Sequence, residues 1–146
     1  MCVIKGKEVI LNEEVRFEDI NKDNRPVVSK TDITGKITYT NSVFRALSGY
    51  EKGEMVGRPH SIVRHPDMPK KVFREMWNTI LQGKEWNGIV KNLRKDGKYY
   101  WVDATITPIK DENNDIIGFI SARRKVSDDV KKEYEKIYKE MREKEK

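Results

Sequence analysis

The residues best suited to chemistry lie in one short polar segment near the middle of the chain, where Arg64, His65 and Asp67 follow His60. The planar guanidinium of an arginine makes paired hydrogen bonds to phosphate or carboxylate oxygens, and imidazoles add further donors. Asp67 could fix one of these side chains or cap a helix that begins after it. The plainer interpretation is a local ion pair between Arg64 and Asp67 with both histidines on the surface. The segment by itself leaves both interpretations open.

No catalytic constellation accompanies this segment. Cys2 is the single cysteine and lies next to the N-terminus, so the sequence has neither a disulfide framework nor a cysteine-based metal site. No nucleophile paired with a base and no cluster of metal ligands stands out. We therefore expect a binding protein and not an enzyme.

The composition indicates one folded domain. The chain has 146 residues, 36% hydrophobic and 37% charged, and its three Trp, six Tyr and four Phe are too many aromatics for a disordered chain. The net charge of +6 is spread among interleaved acidic and basic residues, which argues against a nucleic-acid partner. No apolar run reaches the roughly 18 to 20 residues that span a bilayer, and no signal peptide is evident, so we expect a cytoplasmic protein with no membrane span.

The hydrophobic pattern before the polar segment predicts a β-hairpin and a short helix. Alternating residues at 26–30 and 36–39 flank a turn near Gly35, and Asn41 can cap a helix that Gly49 ends. The stretches that follow, 51–56 and 59–63, are predicted to form short helical turns.

After the polar segment the pattern predicts one long helix and three strands. An apolar stripe from Val72 to Leu81 has helical spacing and ends at Gly83. Strands are predicted at 85–94, 98–109 and 116–125. The order predicts an α+β fold, a five-stranded antiparallel sheet with short helices inserted after the second strand, whose helix-covered face encloses a pocket.

The two ends of the chain differ from this centre. Residues 1–24 form a charged leader with one apolar stretch, Val9 to Leu11, which could pack on the domain or on a partner. Residues 126–146 are almost entirely charged but carry an apolar stripe with helical spacing. This terminal helix is either simply solvated or docks a partner, for example as a coiled coil. The central domain is predicted at 25–125.

Several local motifs resemble a known family. The stretches 31–41, 47–50 and 54–57 resemble the first hairpin and helices of PAS domains. Residues 63–69, Val-Arg-His-Pro-Asp-Met-Pro, with Met-Trp at 76–77 and Trp-Asn-Gly-Ile-Val-Lys-Asn at 86–92, closely resemble the aerotaxis (energy-taxis) receptor family, whose PAS domain holds FAD. The resemblance covers residues 25–125 and neither end.

This resemblance implies an FAD site. Arg64, His65 and Asp67 match the family's FAD-retaining segment residue for residue, with Arg64 suited to the pyrophosphate and Asp67 to a ribose hydroxyl. His60 could add a donor, and Trp86 could stack beside the isoalloxazine. Trp77 is a further candidate for contact with the cofactor, although its place on the apolar stripe favours a position in the hydrophobic core.

Asn41 and Asn92 are the candidates for sensing the flavin state. Oxidised flavin N5 accepts a hydrogen bond and reduced N5 donates one, and a side-chain amide can satisfy either by rotation. Asn41 has an equally good interpretation as a helix cap.

The resemblance implies a redox or oxygen sensor that signals to a chemotaxis receptor or another transducer, in trans or, if the chain is a fragment, in cis; a homodimer is a further possibility. The alternatives are a cofactor-free interaction and dimerisation module, and a haem-binding gas sensor with His60 or His65 as axial ligand. A light sensor that forms a cysteine adduct is excluded, because Cys2 is the only thiol and lies far from the predicted pocket.

Overall fold

A five-stranded antiparallel sheet organises the protein. The computed structural model describes residues 2–5 and 8–146, with side chains from Ile10 onward. The strands of this sheet are β3 (Val27–Asp32), β4 (Ile37–Thr40), β5 (Trp86–Leu93), β6 (Tyr99–Lys110) and β7 (Ile116–Arg124). Their order across the sheet is β4-β3-β7-β6-β5. The predicted α+β architecture is confirmed.

The two faces of the sheet follow from the alternation of side chains along each strand. Val90 and Asn92 on β5 point to one side, which we call the inner face, whereas Lys91 between them points to the other, the outer face. The inner face carries fully buried apolar side chains such as Val27 and Val102. It forms the core together with the helices inserted between β4 and β5.

These inserted helices are α2 (Ser42–Ser48), a 3₁₀ turn (His60–Val63) and α3 (Lys70–Leu81). Gly49 ends α2 in the left-handed conformation at φ 77°, which glycine adopts without steric cost. The predicted helical turn at 51–56 is wrong, because that stretch forms consecutive turns and no helix.

The predicted N-terminal leader packs on the domain. It contains the hairpin of β1 (Cys2–Lys5) and β2 (Glu8–Leu11) and a short helix, α1 (Phe17–Ile20). The amide of Leu11 donates to the carbonyl of Gly97 at 2.8 Å, and Ile10 is buried. The side chains of Val9 and Cys2 lie outside the described residues.

The C-terminal helix α4 (Asp128–Lys144) lies on the outer face of the sheet. Tyr138 stacks on Trp101 with ring centroids 6.4 Å apart, and its hydroxyl donates to the carbonyl of Ile89. The predicted apolar stripe therefore covers the chain's own sheet. Of the helices in the described part of the chain, none has both the length and the apolar character that crossing a bilayer requires.

Candidate functional site

A cavity of about 300 Å³ lies between the inner face of the sheet and the helices that cover it. Helix α3 contributes residues at helical spacing to one wall, and the strands contribute alternate residues to the other. The apolar lining residues are Val63, Phe73, Met76, Trp77, Ile80, Trp86, Val90, Ala104, Ile106 and Phe119. Flat apolar walls of this kind suit a planar aromatic ligand.

Two predicted tryptophans line this cavity. Trp77 meets Phe119 edge to face with ring centroids 5.8 Å apart. Trp86 folds over Gly88, where an added Cβ would come within 2.4 Å of the indole. Gly88 is therefore the residue that lets Trp86 lie against the cavity wall.

Arg64 and Asn92 bring polar groups to the same cavity. They face each other through an isolated antiparallel bridge between the segment after the 3₁₀ turn and the edge strand β5. The Arg64 guanidinium lies 4.0 Å from the centre of the Phe73 ring, a cation–π contact. Asn92 is buried, and its side-chain nitrogen is 3.4 Å from the Tyr100 hydroxyl. Both predicted residues are thus part of the cavity lining.

His60 and Arg123 line the cavity and form a second polar group together with Ser29, which contacts both. Arg123 Nη2 lies 2.9 Å from both His60 Nε2 and Ser29 Oγ, and its guanidinium also packs 4.0 Å from the ring centre of Phe44. Within the described residues Arg123 forms no ion pair with a carboxylate. A buried guanidinium that faces the cavity without an acidic partner is an electrostatic site for an anionic or electron-rich ligand.

The charges of this group follow from its surroundings. Desolvation and, secondarily, the positive charge of Arg123 lower the pKa of His60 to about 3. Burial lowers the pKa of Arg123 to about 10. At neutral pH the histidine is therefore an uncharged ring that accepts a hydrogen bond from a charged guanidinium.

Sequence reasoning missed Ser29 and Arg123. The available signal was the alternation in β7, where Phe119, Ser121 and Arg123 share the inner face. Arginine is rarely buried without a partner, so an arginine at an inward-facing position of a strand indicates a binding group.

Asn41 does not line the cavity. Its side-chain oxygen accepts from the amides of Phe44 at 3.1 Å and Val28 at 3.2 Å, and its side-chain nitrogen donates to the carbonyl of Pro26 at 2.7 Å. These bonds cap α2 and fasten it to β3. The helix-cap interpretation is the one that describes its position.

His65 and Asp67 also lie outside the cavity lining. The segment that contains them passes around the edge strand, so both reach the outer face, where His65 packs edge-on against Tyr99 and Asp67 contacts Lys91 at 3.0 Å. The prediction that Asp67 caps α3 is wrong. That helix begins after Pro69, and the carboxylate of Glu145 accepts from its first two amides.

A second, open groove of about 590 Å³ adjoins the cavity. It shares Arg64, Phe73 and Trp77 with the cavity and adds the cationic side chains Lys70 and Arg74. The site thus consists of an apolar inner chamber and a basic outer groove, with Arg64 at their junction. Among the described residues no cluster of three His, Cys, Asp or Glu side chains could hold a metal ion.

Known proteins share this architecture. A sequence model of the PAS fold matches residues 37–123. The aerotaxis receptor of Escherichia coli (strain K12) is 43% identical over 119 residues, which are 82% of this chain and 23% of that protein. The nitrogen fixation regulatory protein of Klebsiella pneumoniae is 30% identical over 68% of this chain and 20% of its own length.

Solved structures with the same fold include light-oxygen-voltage domains. One, studied with a flavin analogue, has a TM-score of 0.68 at 23% identity and covers 86% of this chain and 92% of that chain. The Aureochrome1 light-state structure has a TM-score of 0.67 at 21% identity, with coverage of 86% and 97%. At these identities the likeness concerns the fold. The chain spans about a fifth to a quarter of the curated relatives described above.

Proposed function

The chain belongs to the PAS fold family, and from this premise we propose that it is a sensor that binds FAD in the cavity and signals the flavin redox state to a chemoreceptor-type protein. A flavin supplies reversible electron-transfer chemistry. The chain's own residues bind the ring, fix its orientation and respond to its charge. We assign the sensory domain to residues 25–125, with 1–24 as a cap and 126–146 as a connecting helix.

The observation that carries the proposal is Arg123, a buried cation directed at an apolar cavity. A guanidinium in such a place is costly unless a ligand supplies electron-rich atoms. The carbonyl and nitrogen edge of an isoalloxazine supplies them, and negative charge on the reduced ring would be stabilised most. Trp77, Trp86 and Phe119 provide the apolar surroundings for the ring.

The basic groove supports FAD over FMN. A cavity of about 300 Å³ suits the ring system but leaves no room for a complete dinucleotide. Arg64 at the junction, with Lys70 and Arg74 beyond it, presents three cations along the path that a pyrophosphate would take to the outside. We therefore assign the diphosphate and the adenosine to the outer groove.

Asn92 is the candidate for sensing the flavin state, as predicted from the sequence. Its amide contains both a donor and an acceptor, and the nearby Tyr100 hydroxyl can donate or accept in turn. A change at the flavin would thereby alter hydrogen bonding at the edge strand. Signalling to a partner requires that the partner bind the two states with different affinity.

The haem alternative has little support from the geometry. His60 is the histidine at the cavity, but its Nε2 is engaged by Arg123 and Ser29, at 2.9 Å and 3.1 Å. His65 lies outside the cavity lining. An axial ligand would therefore require rearrangement of the second polar group.

An absorption spectrum of the purified protein tests the proposal. We expect the bands of an oxidised flavin, and chromatography of the denatured sample should identify the released molecule as FAD. A haem Soret band would favour the gas-sensor alternative. A colourless protein that also fails to take up added FAD would leave the cofactor-free interaction module as the function.

A further inference from the structure

The segment that carries Arg64 is held in place from the side of the sheet opposite to the cavity. Arg64 pairs with Asn92 at the edge of β5, and from there the chain turns to the outer face, where His65 and Asp67 are anchored. We call residues 64–71 the edge segment. Its inner end borders the cavity, and its outer end borders α4.

The first anchor is the buried side chain of Lys91. Its ammonium group lies 3.0 Å from the carboxylate of Asp67 on the edge segment and 3.7 Å from that of Glu135 on α4. It also lies 4.2 Å from the centre of the Tyr99 ring. Only 5% of the Lys91 side chain is exposed, so loss of either carboxylate leaves a buried charge with less compensation.

The pKa of Asp67 depends on residues of both β5 and α4. Partial burial by itself raises the pKa of its carboxyl group, but the hydrogen bond and charge of Lys91, with smaller contributions from His65 and Arg142, hold the pKa below its usual value. Arg142 belongs to α4, so a residue of the terminal helix contributes to the charge state of the edge segment.

The second anchor is the end of α4. Arg142 Nη1 donates to the Asp67 carbonyl at 2.6 Å. The carboxylate of Glu145 accepts from the amides of Lys70 at 3.1 Å and Lys71 at 3.0 Å. Pro69 at the N-cap position makes no capping bond with its side chain, so Glu145 supplies from α4 the cap that α3 lacks.

We propose that Lys91 and Glu145 are positioning residues that make the edge segment and α4 one cooperative unit, so that both open and close together. As a consequence, which rests on the proposed function, FAD bound at Arg64 strengthens the docking of α4, and docked α4 strengthens FAD binding by the same factor. This reciprocity is required for any two sites that share one two-state element. The terminal helix then reports occupancy of the cavity.

Amide hydrogen exchange of the ligand-free protein tests the cooperative unit. Glu145→Ala should raise exchange about threefold to tenfold at the hydrogen-bonded amides of Asp67 and Met68, and by a similar factor within residues 130–141. Glu140→Ala, at an exposed position of the same helix, is the matched control and should change neither region. Exchange that rises in α4 while Asp67 and Met68 keep their protection would overturn the proposal.

Lys91→Met provides a second variant of the same unit, because it removes the buried charge and keeps a linear side chain. We expect faster exchange in both regions again, with Lys91→Arg restoring most of the protection. Faster exchange in only one region would contradict the shared opening, and Glu145→Ala decides the question if Lys91→Met does not fold.

Exchange in the presence of FAD tests the reciprocal half. Free FAD at about a hundred times its Kd should slow exchange at Asp67, at Met68 and within residues 130–141 by one common factor, at most about a hundredfold, because only the closed unit binds the ligand. Slower exchange at Asp67 and Met68 with unchanged exchange within residues 130–141 would refute the coupling to the ligand. If the wild-type protein binds no FAD at all, the proposed function fails and this coupling with it, whereas the exchange measurements on ligand-free protein still decide whether the edge segment and α4 open together.

Discussion

Arg123 donates a hydrogen bond to the imidazole of His60 across 2.9 Å at the wall of the cavity. The first residue comes from the last strand of the sheet and the second from the 3₁₀ turn, so the bond joins the two sides of the cavity. Because the pKa of His60 is lowered to about 3, the pair carries one positive charge at neutral pH.

Arg123→Gln should lower the reduction potential of the bound flavin. The guanidinium stabilises negative charge on the reduced ring more than it stabilises the neutral oxidised ring, and glutamine keeps only a dipole. A tenfold loss of preference for the reduced form corresponds to about 59 mV for a one-electron step. Spectroelectrochemical titration measures the shift, and Arg124→Gln, an exposed neighbour on the same strand, is the control. Equal reduction potentials for wild type and Arg123→Gln would show that Arg123 does not interact with the flavin.

His60 should make the stability of the protein depend on pH between about 6.5 and 3. Its folded-state pKa lies below the unfolded value, so the unfolded chain takes up the proton first, and the contribution of His60 is lost as the pH falls through this window. The slope for one such group is at most about 1.4 kcal/mol per pH unit. His60 as a whole residue is only partly buried, so we expect a smaller slope.

Urea unfolding at pH 7, 6, 5 and 4 measures this dependence of the free energy of unfolding. Acidic groups such as Asp67, with lowered pKa values of their own, destabilise the fold in the same direction as the pH falls. The difference between wild type and His60→Gln therefore isolates the histidine. A difference that stays constant from pH 7 to pH 4 would show that His60 does not titrate as described.

Arg64→Ala should weaken FAD binding much more than riboflavin binding. Riboflavin has the ring but no phosphate, so it lacks the group that we assign to the cation at the junction of cavity and groove. Removal of one charged contact to a phosphate costs on the order of 2 kcal/mol, or about thirtyfold in Kd. Fluorescence titrations with both ligands test this, and Arg58→Ala, at an exposed position outside both lining sets, serves as control. An equal loss of affinity for the two ligands would show that Arg64 contacts the flavin ring or stabilises the fold, and that it does not bind the phosphate.

Asn41→Ala should destabilise the protein and leave cofactor affinity unchanged. The side chain caps α2 and also bonds Val28 and Pro26, and loss of an N-cap typically costs about 1 kcal/mol. Chemical denaturation and an FAD titration of the same variant separate the two effects. Weaker FAD binding with unchanged stability would instead indicate that Asn41 contacts the flavin.

Local sequence determined much of the fold. The turn at Gly35, the cap at Asn41, the stop at Gly49 and the apolar stripe of α3 are short-range signals, because each reflects the conformation or spacing of neighbouring residues. The predicted strand bounds agree with the observed ones within one or two residues.

The candidate site was predictable only where its residues lie in one recognisable segment or on a predicted element. Arg64, Trp86 and Asn92 belong to the motifs that resemble the aerotaxis receptor family, and all three line the cavity. His65 and Asp67 belong to the same motifs but lie at the outer face, because the chain turns around the edge strand between Arg64 and Asp67. The sequence shows which residues are adjacent, and it does not show on which side of a strand each one falls.

Only the tertiary structure decided which distant residues meet. Ser29 and Arg123 are 94 positions apart in the chain and hydrogen-bond each other beside the cavity. Glu145, which looks like one more charge in a solvated tail, caps α3 from 75 positions away. Such contacts depend on the packing of the sheet and of α4, a long-range property to which no local pattern of residues corresponds.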